Sequence, residues 1–298
     1  MIKTIINEKN INKADVVLLS APYEKTASSH KGTVNGPKKV VECLNTQIEF
    51  FDRKLKVEVN NFVKTAHQNM ENLKRLPPAE TLKKIKSAYD KLTQKDKFVF
   101  ILGGEHSVSI GAFQALAKKY NPENTTILQI DAHCDLREDD SDYSAKPSHL
   151  AHSTVMRHAS AMGYSIVQVG IRTYSKEEYN YFSNPKNKIK TWEWGLGDKP
   201  KIKEILKGIK TKNVYLTIDV DGFDPSVMPG TGTPVQGGLK WNYGLKLIEE
   251  LVEKFNLIGA DIVEVSPMKD SVLTEYGAAQ LCYTIITQKF KNRIKKNS

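Results

Sequence analysis

The stretch "TTILQIDAHCDL", Thr125 to Leu136, joins two unlike halves. The first is an unbroken apolar and β-branched run, which predicts a strand buried on both faces. The second sets Asp131, His133 and Asp135 at alternate positions, and on an extended segment alternate side chains point to one side. Carboxylates crowded at the end of a core strand repel one another and lose hydration, so such a cluster persists only where something offsets its charge.

Runs of the same kind recur on either side: "DVVLLS" (15–20), "KFVFILG" (97–103), "SIVQVG" (165–170), "NVYLTI" (213–218) and "LIGADIVEV" (257–265). Longer stretches of helical period separate them, among them 37–48, 79–95, 107–119, 200–210, 241–255 and 271–290. Strand–helix alternation predicts βαβ units, hence an α/β fold of three layers, α/β/α, around a central, mainly parallel sheet. Gly36-Pro37 reads as a helix start and Ser271 as the cap of the last helix. No linker, composition break or repeat divides the chain, so residues 1–298 read as one domain with a core at about 15–290. The lysine-rich tail "KFKNRIKKNS" is expected to fray after the final helix.

Composition narrows the function classes. With 298 residues the chain can bury a sizeable core, and 40% hydrophobic with 26% charged residues excludes disordered and fibrous classes. There is no apolar run of membrane-spanning length and no signal peptide, which predicts a cytoplasmic protein without a membrane partner. Cys43, Cys134 and Cys282 form no CxxC pair and read as reduced thiols. The net charge of +10 raises nucleic acid as a partner, but 38 of the 44 basic residues are lysines dispersed over helical segments. Such a pattern is a solvated surface, so no nucleic-acid partner is expected.

Ligands of an open α/β sheet sit outside the carboxyl ends of its strands. Four such ends are polar here. "GGEHS" brings His106, the opening stretch brings Asp131, His133 and Asp135, "IDVD" brings Asp219 and Asp221, and "DIVE" brings Glu264. Taken singly, DxH and DxD are commonly turns or caps, His106 a structural histidine and Glu264 a salt-bridged strand end. Taken together, they put several carboxylates and imidazole in one place with no lysine among them. A pair of divalent cations would offset that charge. The oxygen-rich, sulfur-free donor set suits Mn²⁺, with Fe²⁺, Co²⁺ or Ni²⁺ as alternatives. Cys134 faces away from the three ligands and reads as packing. The Gly/Pro-rich stretch 221–238 reads as a structural loop or a pocket wall in which Thr233 offers a hydroxyl. The lone GGE lacks the rest of a dinucleotide fingerprint.

"GGEHS" (103–107), "DAHCD" (131–135) and "IDVDGFDPSVMPGTGTP" (218–234), with "DIVEVSP" (261–267), resemble the hallmark segments of the ureohydrolase superfamily, the arginases and agmatinases. The resemblance spans about residues 15–290, and "SSHKGTVNGP" (28–37) joins it more loosely. It implies an arginase-like fold and two Mn²⁺ ions, one held by His106, Asp131, Asp135 and Asp219, the other by His133, Asp131, Asp219 and Asp221. Asp131 and Asp219 would bridge the ions, with a water or hydroxide between them as the nucleophile for a guanidinium carbon. Glu264 would pair with the substrate's guanidinium. Within "SHLAHSTVMRHA" (148–159) the spacing of "HSTVMR" resembles the agmatinase pattern, which implies His152 as proton shuttle and His149 as fallback. Glu105 departs from the aspartate of many members, and since that carboxylate is no ligand the change is expected to matter little. The family's habit implies a homo-oligomer, trimer or hexamer.

The loop "REDDSDYSAKPS" (137–148) carries four acidic and two basic residues, an expected acidic rim that favours a cationic amine tail. Agmatine, hydrolysed to putrescine and urea, is therefore the expected guanidino substrate. Arg137 keeps arginine, guanidinobutyrate, formiminoglutamate and guanidine as alternatives. A dinuclear phosphoesterase would want more histidine ligands and a basic phosphate clamp. With all six ligands and Glu264 present, only loss of the proton shuttle or a blocked pocket would support a metal-holding pseudoenzyme.

Overall fold

The computed structural model describes residues 4–298. Its strands are β1 (Val16–Ala21), β2 (Phe51–Asp52), β3 (Val57–Glu58), β4 (Thr65–Asn69), β5 (Phe98–Gly103), β6 (Thr125–Ile130), β7 (Ser165–Ile171), β8 (Ile189–Glu193), β9 (Asn213–Asp219) and β10 (Asn256–Val263). Its helices are α1 (Gly36–Thr46), α2 (Pro78–Thr93), α3 (Val108–Lys119), α4 (Val155–Ala161), α5 (Lys176–Ser183), α6 (Ile202–Gly208), α7 (Trp241–Lys254), α8 (Leu273–Lys289) and α9 (Lys291–Asn297). Eight strands form one sheet in the order β4-β1-β5-β10-β9-β6-β7-β8, while β2 and β3 make a small hairpin. Every pairing in the large sheet is parallel.

The two-residue period of the strands splits the core into two layers. Val16 and Leu18 of β1, with Phe98, Phe100 and Leu102 of β5, face the side covered by α1, α6, α7 and α8. Val17, Leu19, Val99 and Ile101 face the side covered by α2, α3 and α4. The result is the three-layer α/β/α architecture expected from the sequence.

The four strands that precede the polar motifs, β5, β10, β9 and β6, are consecutive in the sheet. Their carboxyl ends are in step, with Leu102 level with Ile262, Val263 with Asp219 and Ile130 with Ile218. Four loops distant in sequence therefore open side by side at the centre of one sheet edge.

Some boundaries differ from expectation. The outermost strands β4 and β8 escaped the sequence reading because half-exposed edge strands such as "TAHQN" lack a continuous apolar run. Helix α8 starts at Leu273, whose N–H lies 3.4 Å from Ser271 Oγ, so Ser271 sits one position before the cap residue Val272. The tail does not fray: it forms α9, with Ile294 fully buried beside the half-buried Phe290 four residues earlier. Two apolar residues at helical spacing outweigh the surrounding lysines, and Arg293 adds a 2.7 Å ion pair to Asp15. Among the described residues no helix is long and apolar enough to cross a membrane.

Candidate active site

The loop after β6 leaves the extended conformation at once. His133 makes one isolated bridge to Thr173, and Asp135 adopts φ 53°. Asp131, His133 and Asp135 thus converge through a turn, which corrects the extended-segment expectation. Glu264, just past β10, also has a positive φ, 63°. Left-handed backbone costs a non-glycine residue about 1–3 kcal/mol, and such strain concentrates at functional sites. Gly222 lets the loops after β9 and β6 touch, because a Cβ there would come within 2.6 Å of the Asp131 nitrogen.

Two clusters share Asp131. His106 Nδ1 lies 2.9 Å from Asp135 Oδ2, 3.2 Å from Asp131 Oδ2 and 3.7 Å from Asp219 Oδ2. His133 Nδ1 lies 3.1 Å from Asp221 Oδ2 and 3.5 Å from Asp131 Oδ1. Asp131 therefore offers one oxygen to each histidine. His106, Asp131 and Asp135 form one group with metal-ligand spacing, and Asp131, His133 and Asp221 form another. Neighbouring donors fix the carboxylates: Gln129 Nε2 to Asp131 (2.7 Å), the Ala132 N–H to Asp221 (3.0 Å) and the Asp221 N–H to Asp219 (2.9 Å).

Burial raises the Asp135 pKa to about 7 with help from the Asp131 charge, and Asp219 is raised well above the usual range by burial and then by Asp221 and Asp131. Asp131 is lowered, because attraction to His106 and His133 outweighs its burial. Burial opposes charge on the two histidines, yet Asp131 and Asp135 raise His106, and Asp221 and Asp131 raise His133. Protons here hold the place of cations. His106 Nδ1 is buried and makes no directed hydrogen bond, although three carboxylate oxygens face it. A buried nitrogen aimed at anionic oxygens, within a set of imidazole nitrogens and carboxylate oxygens, fits a pair of divalent cations.

A cavity of about 220 Å³ opens onto these groups, with His152, Glu264 and Thr233 in its wall. His152 Nδ1 lies 2.7 Å from the Thr26 carbonyl, which can only accept, so the ring's hydrogen sits there. Nε2 is then the basic nitrogen, 3.2 Å from Ser28 Oγ at the cavity wall. Burial lowers the His152 pKa, and the Glu105 charge opposes that. His149 is exposed, with Nδ1 on the Glu138 carbonyl at 2.9 Å, and lies outside the cavity wall; His158 is turned onto the His149 carbonyl at 2.7 Å.

Glu264 Oε1 accepts the His106 N–H at 2.7 Å, and burial, followed by the Glu105 charge, raises its pKa well above normal. Thr233 lines the cavity but donates its hydroxyl to Asp221 Oδ2 at 3.1 Å. Two residues matter more than the sequence suggested. Glu105, fully buried, accepts the Thr26 N–H at 2.7 Å together with the Thr26 and Ser107 hydroxyls, and so anchors the residue that orients His152. Arg172 donates to the carbonyls of Asp221 (2.6 Å) and Val235 (2.7 Å), clamping the Gly/Pro-rich loop. Neither carries a local sequence signal, because their partners lie far along the chain.

The expected acidic rim is absent from the cavity wall. Of residues 137–148, Arg137 and Tyr143 line it. Asp139 and Asp140 bind the N–H groups of Ser141 and Ser148 within the loop, and Asp142 pairs with Arg137. Arg137 also stacks 4.7 Å from the Tyr143 ring and lies 3.9 Å from Glu178.

Comparison with known proteins identifies the family. The sequence pattern of the arginase family matches residues 14–287. An N(1)-aminopropylagmatine ureohydrolase from Synechocystis sp. is 32% identical over 278 residues, 92% of this chain and 88% of that protein. An agmatinase from Halalkalibacterium halodurans is 33% identical over 275 residues, 89% of each chain. The crystal structure of agmatine ureohydrolase of Thermoplasma volcanium superposes with a TM-score of 0.83 at 25% identity, covering 100% of this chain and 96% of that one.

Proposed function

Because the chain belongs to the arginase family of metal-dependent amidinohydrolases, we propose that it hydrolyses agmatine to putrescine and urea. The observation that carries the proposal is the buried, unpartnered Nδ1 of His106 facing three carboxylates at the floor of a cavity whose wall holds Glu264 and His152. His106, Asp131, Asp135 and Asp219 would hold one Mn²⁺ and His133, Asp131, Asp219 and Asp221 the other, with Ni²⁺, Co²⁺ or Fe²⁺ as substitutes. Bound there, two such cations supply a hydroxide nucleophile at neutral pH.

The chain's own groups do the rest. Glu264 binds the planar guanidinium, whose paired N–H groups match a carboxylate. Cleaving the carbon–nitrogen bond leaves an amine that needs a proton, and His152 Nε2 delivers it while Thr26 keeps the Nδ1 hydrogen in place. Asp135, in the cavity wall beside His106, is placed to take up a proton released from water. Thr233 acts through Asp221 and sets one wall of the substrate channel.

Agmatine's distal amine is a cation, and the Arg137 guanidinium at the wall is offset by Asp142 and Glu178. Arg137 also supports a second reading, a guanidino compound ending in a carboxylate. Urea release from agmatine, N(1)-aminopropylagmatine, arginine and 4-guanidinobutanoate, with and without added Mn²⁺, separates the two. The expected result is Mn²⁺-dependent urea from agmatine and none from the carboxylates. Turnover of a carboxylate compound with none of agmatine would overturn the proposal.

A further inference from the structure

Asp261 has no part in the chemistry above, yet it is fully buried in β10 with both oxygens engaged. Oδ1 accepts from the Thr217 hydroxyl at 2.6 Å, and Oδ2 accepts from Ser109 at 2.7 Å and Tyr215 at 2.8 Å. The Thr217 oxygen also lies 2.8 Å from His106 Nε2. A hydroxyl has one hydrogen, and here it goes to Asp261, whose two oxygens face three hydroxyl donors that favour the carboxylate against its burial, so that it accepts and does not donate back. Thr217 can then only accept from His106, so Nε2 carries the hydrogen. In the neutral ring the lone pair is left on Nδ1, the atom that faces Asp131, Asp135 and Asp219.

We propose that Asp261 is a positioning residue which, through Thr217, sets the tautomer of His106 and so makes Nδ1 a metal-binding nitrogen. The inference rests on the metal-centre reading and adds to it a carboxylate that never meets the ion. Outer groups that hold a ligating imidazole are worth about 10–100-fold in metal affinity.

Asp261→Asn is the discriminating substitution because it keeps size and reverses the chain. Ser109 and Tyr215 share one oxygen, so the amide oxygen stays with them and the new NH₂ faces Thr217. Thr217 must then accept from it and turn its own hydrogen to His106 Nε2, which moves the ring's hydrogen to Nδ1 and blocks ligation. Calorimetric titration of the full-length, metal-free protein with Mn²⁺ should find two equivalents in the wild type. In Asp261→Asn the equivalent served by His133 and Asp221 should persist and the other should weaken about 10–100-fold. Thr217→Ser keeps the hydroxyl and should keep both affinities, whereas Thr217→Val should weaken the same equivalent, which keeps the test open if Asp261→Asn does not fold. Unchanged binding of both ions in Asp261→Asn, or equal affinities in Thr217→Ser and Thr217→Val, would overturn the tautomer assignment alone. A wild-type protein that binds no Mn²⁺ would overturn the metal-centre reading and this inference with it.

Discussion

A histidine can serve as proton donor when one ring nitrogen is held and the other is presented to the reacting group. His152 and His149 stand three residues apart and differ in this respect. His152 has Nδ1 fixed on Thr26 and its ring at the cavity, while His149 is exposed with Nδ1 turned onto the loop carbonyl of Glu138. His152→Ala should therefore lower kcat on the order of 10²-fold or more, with metal content and KM little changed, whereas His149→Ala should leave kcat near wild type. Steady-state kinetics with metal analysis checks this, and a larger loss in His149→Ala would reverse the roles. Much of the site was legible residue by residue: His106, Asp131, His133, Asp135, Asp219, Asp221 and Glu264 could all be picked out as polar groups following apolar runs. Glu105 was undervalued because its partner Thr26 lies 79 positions away and nothing local marks it. The acidic side chains of 137–148 were misjudged for the opposite reason. Composition does not say which way a loop carboxylate faces, and these serve their own turns.

At the scale of elements, strand order turns scattered motifs into a site. The alternation of runs predicted parallel strands, but the adjacency of β5, β10, β9 and β6 is a property of pairing that no single run contains. The edge strands and α9 show the limits of pattern in short segments, where two or three burial contacts decide the outcome. The loop after β9 depends on Arg172, a residue of the turn after β7, whose planar fork spans the carbonyls of Gly170, Asp221 and Val235. Burial lowers its pKa against the pull of Asp221, so it sits at some desolvation cost that these carbonyls offset. Removing it leaves several carbonyls without a donor and frees the segment that carries Asp221 and Thr233. Arg172→Ala should lower stability by about 2 kcal/mol and weaken Mn²⁺ binding, and Arg172→Lys should restore little because an ammonium cannot reproduce the fork. Denaturant melts and metal titration read both effects. Full recovery by lysine would mean that charge alone, and not the clamp, is what the loop needs.

For the whole molecule, the proposed metal centre is a site of stored electrostatic conflict. Asp135, Asp219 and Glu264 have raised pKa values, and so do His106 and His133. A raised group binds more protons folded than unfolded, so its contribution to stability is present at low pH and is lost as pH climbs through its folded value. For the carboxyls that window opens near pH 4 and passes through about 7 at Asp135. Asp131 has the opposite sign, its contribution being lost as pH falls, but its window lies below about 4. Between pH 5.5 and 8 the metal-free cluster thus becomes steadily less favourable. Cations and protons compete for the same lone pairs, so Mn²⁺ affinity grows over that range. At a metal concentration 100 times Kd each site adds roughly 2.7 kcal/mol, which for a chain of this size raises Tm by about 5 °C or more. The Mn²⁺-induced rise in Tm should accordingly be small at pH 5.5 and large at pH 8, and His67, whose pKa burial lowers, cancels from this difference because it lies outside the site. Paired melts of metal-free and Mn²⁺-loaded protein across that range measure it. A gain at pH 5.5 equal to that at pH 8 would mean that the cation binds somewhere other than on these carboxylates and imidazoles.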